Sequence, residues 1–164
     1  MHRPFPYGAL PNYPHLTKYE TIIWERFVEA LPGRFQICYY DVTCGDCRGD
    51  EEGLKPEWKA NRDYLGRYKV DVIGFKDGKH TLIELKRQAT TKAIGELALY
   101  AHTLAEKFPA YAWTSPIIVT DEEMPNMKSY AEANGIKLTV LGPPLISLPE
   151  NNKSDEAPGE PHKE

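Results

Sequence analysis

The sequence predicts an α/β fold in which helices flank a central mixed β-sheet, in the order α-β-β-β-α-β-α-β. Three observations predict it. Apolar residues recur at helical spacing in two long segments, an Asp-Gly pair separates two alternating segments, and two short apolar runs near the end enclose a third helical segment. A hairpin followed by alternating helices and strands indicates a mixed sheet.

The first predicted helix covers residues 17–31. Thr17 and Glu20 match a capping box at its start, and Pro32-Gly33 stops the run. The apolar residues that recur at helical spacing predict the buried face of this helix: Ile23, Phe27 and Leu31.

The strand signals are clearest in the middle of the chain. A first strand is predicted at residues 35–42. Residues 68–75 alternate as a second strand, residues 76–79 (KDGK) contain the Asp-Gly pair of a tight turn, and residues 80–86 return as a third strand.

The second half of the domain alternates between helices and strands. A long helix is predicted at residues 91–107, followed by a strand at 115–120, a helix at 127–135 and a final strand at 136–141. The expected apolar face of the long helix consists of Ile94, Leu97, Ala98, Ala101 and Leu104.

The remaining segments lack a clear period. Residues 1–16, rich in proline and aromatic residues, are expected to form an extended arm, and residues 17–149 the single domain. Within that domain residues 43–66 form a long connection, which in a compact fold is usually functional or mobile. Residues 150–164 are polar and acidic, and we expect them to be disordered.

The composition is that of an ordinary globular domain of 164 residues. The formal net charge is -4, but the last fifteen residues hold five acids and two lysines, so the body is near neutral and phosphate binding is not excluded. No apolar run approaches the roughly 20 residues of a membrane span, and the first residues lack the apolar core of a signal peptide. We therefore expect a cytoplasmic protein without membrane contact.

The hairpin carries the residues that suggest chemistry. Glu84 and Lys86 share one face of their strand, Leu85 points to the opposite and expected core face, and Asp71 lies between two valines on the partner strand. Two neighbouring carboxylates repel each other unless a cation joins them, and one lysine balances only one of the two. An oxygen-preferring ion such as Mg²⁺ would balance both and leave room for water and a phosphate oxygen.

Residues 69–104 (KVDVIGFKDGKHTLIELKRQATTKAIGELALYAHTL) resemble motifs of the PD-(D/E)xK, or restriction-endonuclease-like, nuclease superfamily, nearest to NucS-like and RecB-like members. The resemblance implies a restriction-endonuclease-like sandwich. It further implies that Asp71, Glu84 and the carbonyl of Leu85 hold Mg²⁺ or Mn²⁺, and that Lys86 acts in catalysis on DNA.

The resemblance also suggests residues outside the hairpin. Many members add a glutamate from the first helix, for which Glu20 is the candidate; its alternative role is the capping box, while Glu25 and Glu29 look like solvated charges. Related nucleases often carry Q-x-x-x-Y in the next helix, where this chain has Glu96 and Tyr100. The tyrosine matches, the glutamine does not, and Tyr100 could equally be a packed core residue.

Basic residues near the hairpin could contact a nucleic acid. Arg87 and Lys92 flank the exit of the third strand, where a phosphate backbone could pass. Lys76 and Lys79 are more simply explained as solvated residues of the turn.

Three cysteines in a chain without a signal peptide argue against disulfides. Cys44 and Cys47 form a C-x-x-C pair, with Cys38 six residues earlier. A structural zinc normally needs four ligands, and no second pair exists, so we expect a plain turn rather than a zinc site.

The leading hypothesis is a Mg²⁺- or Mn²⁺-dependent (endo)deoxyribonuclease. A homodimer is the candidate assembly, because duplex cleavage needs two sites or two events. The alternative is a catalytically inactive nucleic-acid-binding or assembly module of the same fold, since fold does not entail function. The presence of Asp71, Glu84 and Lys86 together favours the enzyme.

Overall fold

A mixed β-sheet runs through the protein, whose computed structural model describes residues 3–44 and 68–144. The predicted connection from residue 45 onwards and the predicted tail at 150–164 lie outside the described residues. The elements are, in chain order, β1 (Phe5–Pro6), α1 (Lys18–Ala30), β2 (Ile37–Cys44), β3 (Tyr68–Lys76), β4 (Lys79–Gln88), α2 (Thr91–Lys107), β5 (Ala112–Trp113), β6 (Ile117–Glu122), α3 (Met127–Ala133) and β7 (Lys137–Val140).

The strands follow the order β1-β2-β3-β4-β6-β7, with β5 beside the start of β4. The pairs from β1 to β4 are antiparallel, and β4, β6 and β7 are parallel. The predicted α/β fold with a mixed sheet is confirmed. Two strands, β1 and β5, were not predicted because two residues are too few to show alternation.

Both faces of the sheet are buried, each by its own core. On one face α1 contributes Ile23, Trp24 and Phe27; we call this the α1-side core. On the other face α2 contributes Ile94 and Leu97, and we call this the α2-side core. The sequence analysis expected Leu85 on a core face, and Leu85 belongs to the α1-side core. The opposite face, on which Glu84 and Lys86 were predicted, is buried by α2.

The buried faces of the two long helices differ in detail from those predicted. Leu31 is 39% exposed because α1 ends at Ala30 and its last turn leaves the sheet; Trp24 is buried instead. In α2, Ala98 is exposed and Tyr100 is buried. Periodicity alone could not assign these positions because alanine is compatible with either face.

The described part of the N-terminal arm packs against the α1-side core. Its β1 strand pairs with β2, and Tyr13 is buried. The rings of Phe5 and Tyr7 make edge contacts with Tyr40 and Trp24, respectively. The arm therefore covers the edge of the sheet that β2 would otherwise expose.

Replacing either of two glycines by alanine is expected to change the free energy of unfolding, in opposite directions for the two positions. A Cβ at Gly74, in β3, would lie 2.6 Å from Cδ1 of the buried Phe35 ring, whereas a Cβ at Gly95, in α2, would meet nothing within 4 Å. We expect Gly74→Ala to lower the free energy of unfolding by about 1–3 kcal/mol, because the ring must move within a packed core. We expect Gly95→Ala to raise it by about 0.5–1 kcal/mol. Urea denaturation measures both, and shifts of the same sign would contradict this packing.

Candidate active site

The candidate site lies at a fork where β3 separates from β4. The pairing of these strands runs from Lys76↔Lys79 to Val72↔Ile83 and includes no residue pair beyond that point. There Oδ2 of Asp71 accepts a hydrogen bond of 2.7 Å from the backbone N–H of Leu85. The Asp71 carboxylate thus takes the place that a carbonyl of β3 would occupy in a continued ladder.

A local irregularity in β2 and β3 accompanies the fork. Asp71 of β3 and Asp41 of β2 lie opposite each other but are not paired, although the residues on either side of them are. The φ angle of Asp41 is 51°, in the left-handed region. Val72 belongs to the α1-side core but Val70 to the α2-side core, so the side-chain alternation of β3 reverses at Asp71. The prediction that the two valines mark one apolar face opposite Asp71 was therefore wrong, because a regular strand was assumed.

Glu84 and Lys86 form a buried ion pair on the α2 side of β4. Lys86 Nζ lies 2.7 Å from Glu84 Oε1, and the Glu84 side chain is 4% exposed. The second oxygen, Oε2, is buried and has no hydrogen-bond partner within residues 3–44 and 68–144. Such an oxygen is costly to bury unless a donor or a cation reaches it.

The three charged groups perturb one another's ionisation. Burial, followed by the charges of Glu84 and Glu20, raises the pKa of Asp71 to about 8. The hydrogen bond from the Leu85 N–H and the positive charge of Lys86 lower this pKa but do not cancel the increase. Burial also raises the pKa of Glu84, although the Lys86 ammonium opposes it. Burial by itself would lower the pKa of Lys86, but Glu84 and Asp71 raise it. With Lys86 as the balancing cation, Asp71 and Glu84 are therefore not both ionised near neutral pH.

Of the two roles considered for Glu20, the capping box is confirmed, and the role as a metal ligand stays a prediction. The predicted capping box is present: Thr17 N–H donates to Glu20 Oε2 at 2.7 Å, and Glu20 N–H donates to Thr17 Oγ1 at 3.3 Å. The charge of the half-buried Glu20 also contributes to the raised pKa of Asp71 and of Glu84. Glu25 and Glu29 are exposed.

The α2 candidates lie on the same side of the sheet as Glu84. Tyr100 is 7% exposed and packs in the α2-side core; burial first, then Glu84 and Glu96, raise its pKa. Tyr100 is therefore both a core residue and a neighbour of the acids. Glu96, in the position of the family's glutamine, pairs with the exposed Lys92 at 3.6 Å.

A cleft of about 370 Å³ opens beside the site, between the end of β4 and the start of α2. Arg87 and Lys92, the predicted phosphate contacts, are exposed here. The residues lining the cleft are Lys86, Arg87, Gln88, Thr90, Lys92, Ala93 and Glu96. Lys76 and Lys79 lie at the exposed hairpin turn, at the opposite end of β4.

Three residues near the end of β4 were missed by the sequence analysis. The hydroxyl of buried Thr120, in β6, donates to the carbonyl of Arg87. The next residue, Asp121, is 2% exposed and accepts a hydrogen bond from the Tyr19 hydroxyl of α1. A Thr-Asp pair directly after an apolar strand was the available signal, because the carboxyl ends of parallel strands meet at one sheet edge.

The cysteines in the described residues lie inside the protein. Cys38 belongs to the α1-side core and Cys44 to the α2-side core, and both are free thiols. Burial raises the pKa of each thiol to about 12. Cys47 lies outside the described residues, so the predicted turn at Cys44 and Cys47 stays a prediction.

The oxygen atoms at the fork suit a hard divalent cation. Within residues 3–44 and 68–144 no group of three or more His, Cys, Asp or Glu side chains is placed to hold a metal ion. Mg²⁺, however, is commonly held by one or two carboxylates and keeps several waters. The predicted ligands are Asp71, Glu84 and the Leu85 carbonyl. Of these, Asp71 accepts a hydrogen bond from the Leu85 N–H, and Oε2 of Glu84 lacks a hydrogen-bond partner among the described residues.

Comparison with known proteins gives similarity in structure only. No family model and no curated protein matches the chain. Similar solved structures include a protein of unknown function, AF1548 (18% identity, TM-score 0.47), a repair endonuclease from Pyrococcus abyssi (22%, 0.39) and EndoMS in complex with dsDNA (19%, 0.45).

The similarity covers most of this chain but only part of those proteins. It extends over 74%, 65% and 83% of this chain and over 55%, 40% and 50% of the respective neighbours. The chain thus spans about half the length of the structures it resembles, and at these values the resemblance concerns the fold. A separate observation is that no helix in residues 3–44 and 68–144 is long and apolar enough to span a membrane.

The raised pKa of Asp71 predicts an unusual dependence of stability on pH. Because the pKa of about 8 in the folded protein lies above the ordinary 3.8, the folded state holds this proton more tightly than the unfolded state does. The stability that protonated Asp71 contributes to the folded state is fully present below about pH 4. It is lost as the pH rises through about 8. We expect Asp71→Asn, which keeps an acceptor for Leu85, to be measurably more stable than wild type at pH 8 and equal to it near pH 4.

Urea denaturation in EDTA between pH 4 and 9 measures this difference. Asp77→Asn is the matched control, since Asp77 is exposed in the hairpin turn and its φ of 49° suits asparagine. If Asp71→Asn were less stable than wild type at pH 8, the Asp71 carboxylate would be stabilised rather than strained by its surroundings.

Proposed function

We propose that this protein is a metal-dependent nuclease that hydrolyses phosphodiester bonds in DNA. Asp71, Glu84 and the Leu85 carbonyl hold Mg²⁺ or Mn²⁺ in this proposal, and Lys86 acts on the reacting phosphate or the attacking water. Glu20 adds a further carboxylate from α1. The chemistry would take place at the fork, with the substrate entering from the cleft beside Lys86 and Arg87.

The observation that carries the proposal is the buried Oε2 of Glu84, which lacks a hydrogen-bond partner among the described residues. It lies next to Asp71, whose pKa burial and the charges of Glu84 and Glu20 raise to about 8. Without a cation here, the two carboxyls cannot both ionise near neutral pH and an unsatisfied oxygen stays buried, for no structural gain. A divalent cation offsets both costs.

The chain's own residues supply positions and charges. Asp71 is held by the Leu85 N–H, so its other oxygen is free of that bond and can serve as a ligand. A divalent ion bound there lowers the pKa of a water ligand and neutralises phosphate charge. The Lys86 ammonium, kept protonated by Glu84 and Asp71, can orient water or offset developing negative charge.

The choice of DNA as substrate rests on two observations. Residues 69–104 resemble nuclease motifs, and the exposed Arg87 and Lys92 flank a cleft that opens beside the Lys86 ammonium. Cations in this position can contact a phosphate backbone that places one phosphate at the fork. Glu96 pairs with Lys92 and lines the same cleft, where it would limit the approach of the phosphate chain.

Two substitutions at the site separate metal binding from catalysis. We expect Glu84→Gln to weaken Mn²⁺ binding and to reduce cleavage by at least about 100-fold, since a charged ligand is lost. We expect Lys86→Met to reduce cleavage by at least about 100-fold but to retain Mn²⁺ binding, because removal of a nearby cation does not weaken a cation site. Calorimetric titration with Mn²⁺ and cleavage of labelled single-stranded, duplex and forked DNA with Mg²⁺, Mn²⁺ or EDTA measure the two effects.

Matched controls come from exposed positions. Glu25→Gln on α1 and Lys79→Met at the hairpin turn remove the same groups far from the fork, and both variants should cut like the wild type. Cleavage that persists in EDTA or in Lys86→Met would refute the proposal. A wild type that binds DNA but cuts none of the substrates with either metal would instead favour the binding or assembly module.

A further inference from the structure

The two strands that separate at the fork continue to the same end of the sheet. Beyond the last pair, Val72↔Ile83, β3 extends back to Tyr68 and β4 extends to Gln88. Tyr68 and Arg87 are equally far along the chain from this pair, roughly 13 Å at the usual rise of a strand. They therefore flank the fork on its two sides, and we call the space between them the mouth of the fork.

The Tyr68 ring lies on the α2 side of the sheet, the side of Glu84 and Lys86. Val70, two positions further along the strand, belongs to the α2-side core. The centroid of the Tyr68 ring lies 5.7 Å from that of Tyr100, and the two ring planes are tilted by 38°. Tyr100 is buried, but Tyr68 is 50% exposed. A buried ring thus supports an aromatic surface that is open to solvent at the mouth of the fork.

Helix α2 connects this ring with the cleft beside the Lys86 ammonium. Lys92, Glu96 and Tyr100 are spaced by four residues, so they follow one another along one face of the helix. Lys92 and Glu96 line the cleft, and Tyr100 contacts Tyr68 one turn later. From Lys92 to Tyr100 the helix rises by roughly 12 Å. A chain molecule in the cleft would therefore meet cations at one end and an aromatic ring at the other.

The two sides of the mouth differ in charge. On the β4 side, Arg87 and Lys92 are exposed cations. On the β3 side, the ammonium of Lys69, next to Tyr68, lies 3.0 Å from the carboxylate of Asp41. Phosphates therefore suit the β4 side, and an uncharged, flat group suits the β3 side. A nucleic-acid strand carries both, and aromatic side chains stack on any base because every base has a π-face.

We propose that Tyr68 stacks on an unpaired base of a DNA strand whose phosphates lie along Arg87 and Lys92. This inference rests on the proposed function, because it requires DNA in the cleft. Within a continuous duplex the faces of a base are covered by its neighbours, and exposing one costs unstacking energy. Tyr68 therefore favours single-stranded or forked DNA over continuous duplex. It acts on the choice of substrate and does not touch the reacting phosphate.

Oligodeoxythymidylate and an abasic oligonucleotide of the same length separate base stacking from phosphate binding. Both carry the same backbone charges, but only the first carries bases. Fluorescence anisotropy measures binding in the presence of Mn²⁺, with full-length chains that all carry Lys86→Met so that the DNA stays intact. The KM for cleavage of both oligonucleotides, without Lys86→Met, gives a second measure.

Tyr68→Leu keeps an apolar side chain against Tyr100 but removes the ring. We expect it to weaken binding of the thymidylate about tenfold and to leave binding of the abasic strand and of a continuous duplex unchanged. Tyr68→Phe should keep all three affinities, because stacking needs the ring and not the hydroxyl.

Two controls show whether the effect is local and passes through the base. Tyr130→Leu removes a tyrosine that is 46% exposed on α3, which packs against β7, and should bind both oligonucleotides like its parent. Lys92→Met should weaken binding of both and reduce the salt dependence, because a lysine acts on phosphates. Tyr68→Leu should leave the salt dependence unchanged. Urea denaturation shows that each variant is folded.

Equal losses of affinity for the thymidylate and the abasic strand in Tyr68→Leu would overturn the inference, because the effect would not pass through the bases. Unchanged affinity for the thymidylate would overturn it as well, and so would an equal loss in Tyr68→Phe. In all three cases metal-dependent cleavage by the wild type would leave the proposed function intact. A wild type that neither binds nor cuts DNA would remove the proposed function together with this inference.

Discussion

Where β3 separates from β4, the backbone N–H of Leu85 loses its partner strand, and the Asp71 carboxylate accepts its hydrogen bond instead. The rest of the site depends on this contact. It draws a carboxylate between two strands, where its charge and that of Glu84 perturb each other. A buried N–H without a partner would cost about 1–3 kcal/mol, so the fork and the acid stabilise each other.

The same contact concentrates negative charge in a place that water reaches poorly. Lys86 neutralises Glu84 through one oxygen, and the other oxygen of Glu84 is left without a hydrogen-bond partner among the described residues. On the opposite side of β4, the Thr120 hydroxyl bonds to the Arg87 carbonyl. On that flank the pairing with β6 continues to Gln88↔Glu122, so the Thr120 bond adds to the ladder. The acids are carried by the sheet rather than by loops, which favours a preorganised site.

The features that depend on neighbouring residues in the chain could be predicted. The Asp-Gly hairpin, the capping box of Thr17 and Glu20, and the long α2 helix all appear where expected, because a turn, a cap and an amphipathic stripe are determined by residues a few positions apart. The exact buried faces were less predictable. Leu31 and Ala98 are exposed because burial depends on where a helix leaves its sheet, which no local pattern records.

The sequence by itself determined the longer helices and strands, the mixed sheet and the presence of Asp71, Glu84 and Lys86 on one hairpin, because these follow from periodicity and turn chemistry within short segments. Only the tertiary structure decided that both faces of the sheet are buried, that alternation reverses at Asp71, and that Tyr19 meets Asp121 across 102 positions of the chain. Contacts between distant segments depend on how helices dock on the sheet. Docking is determined by all packed side chains together, so it leaves no signal at any one position.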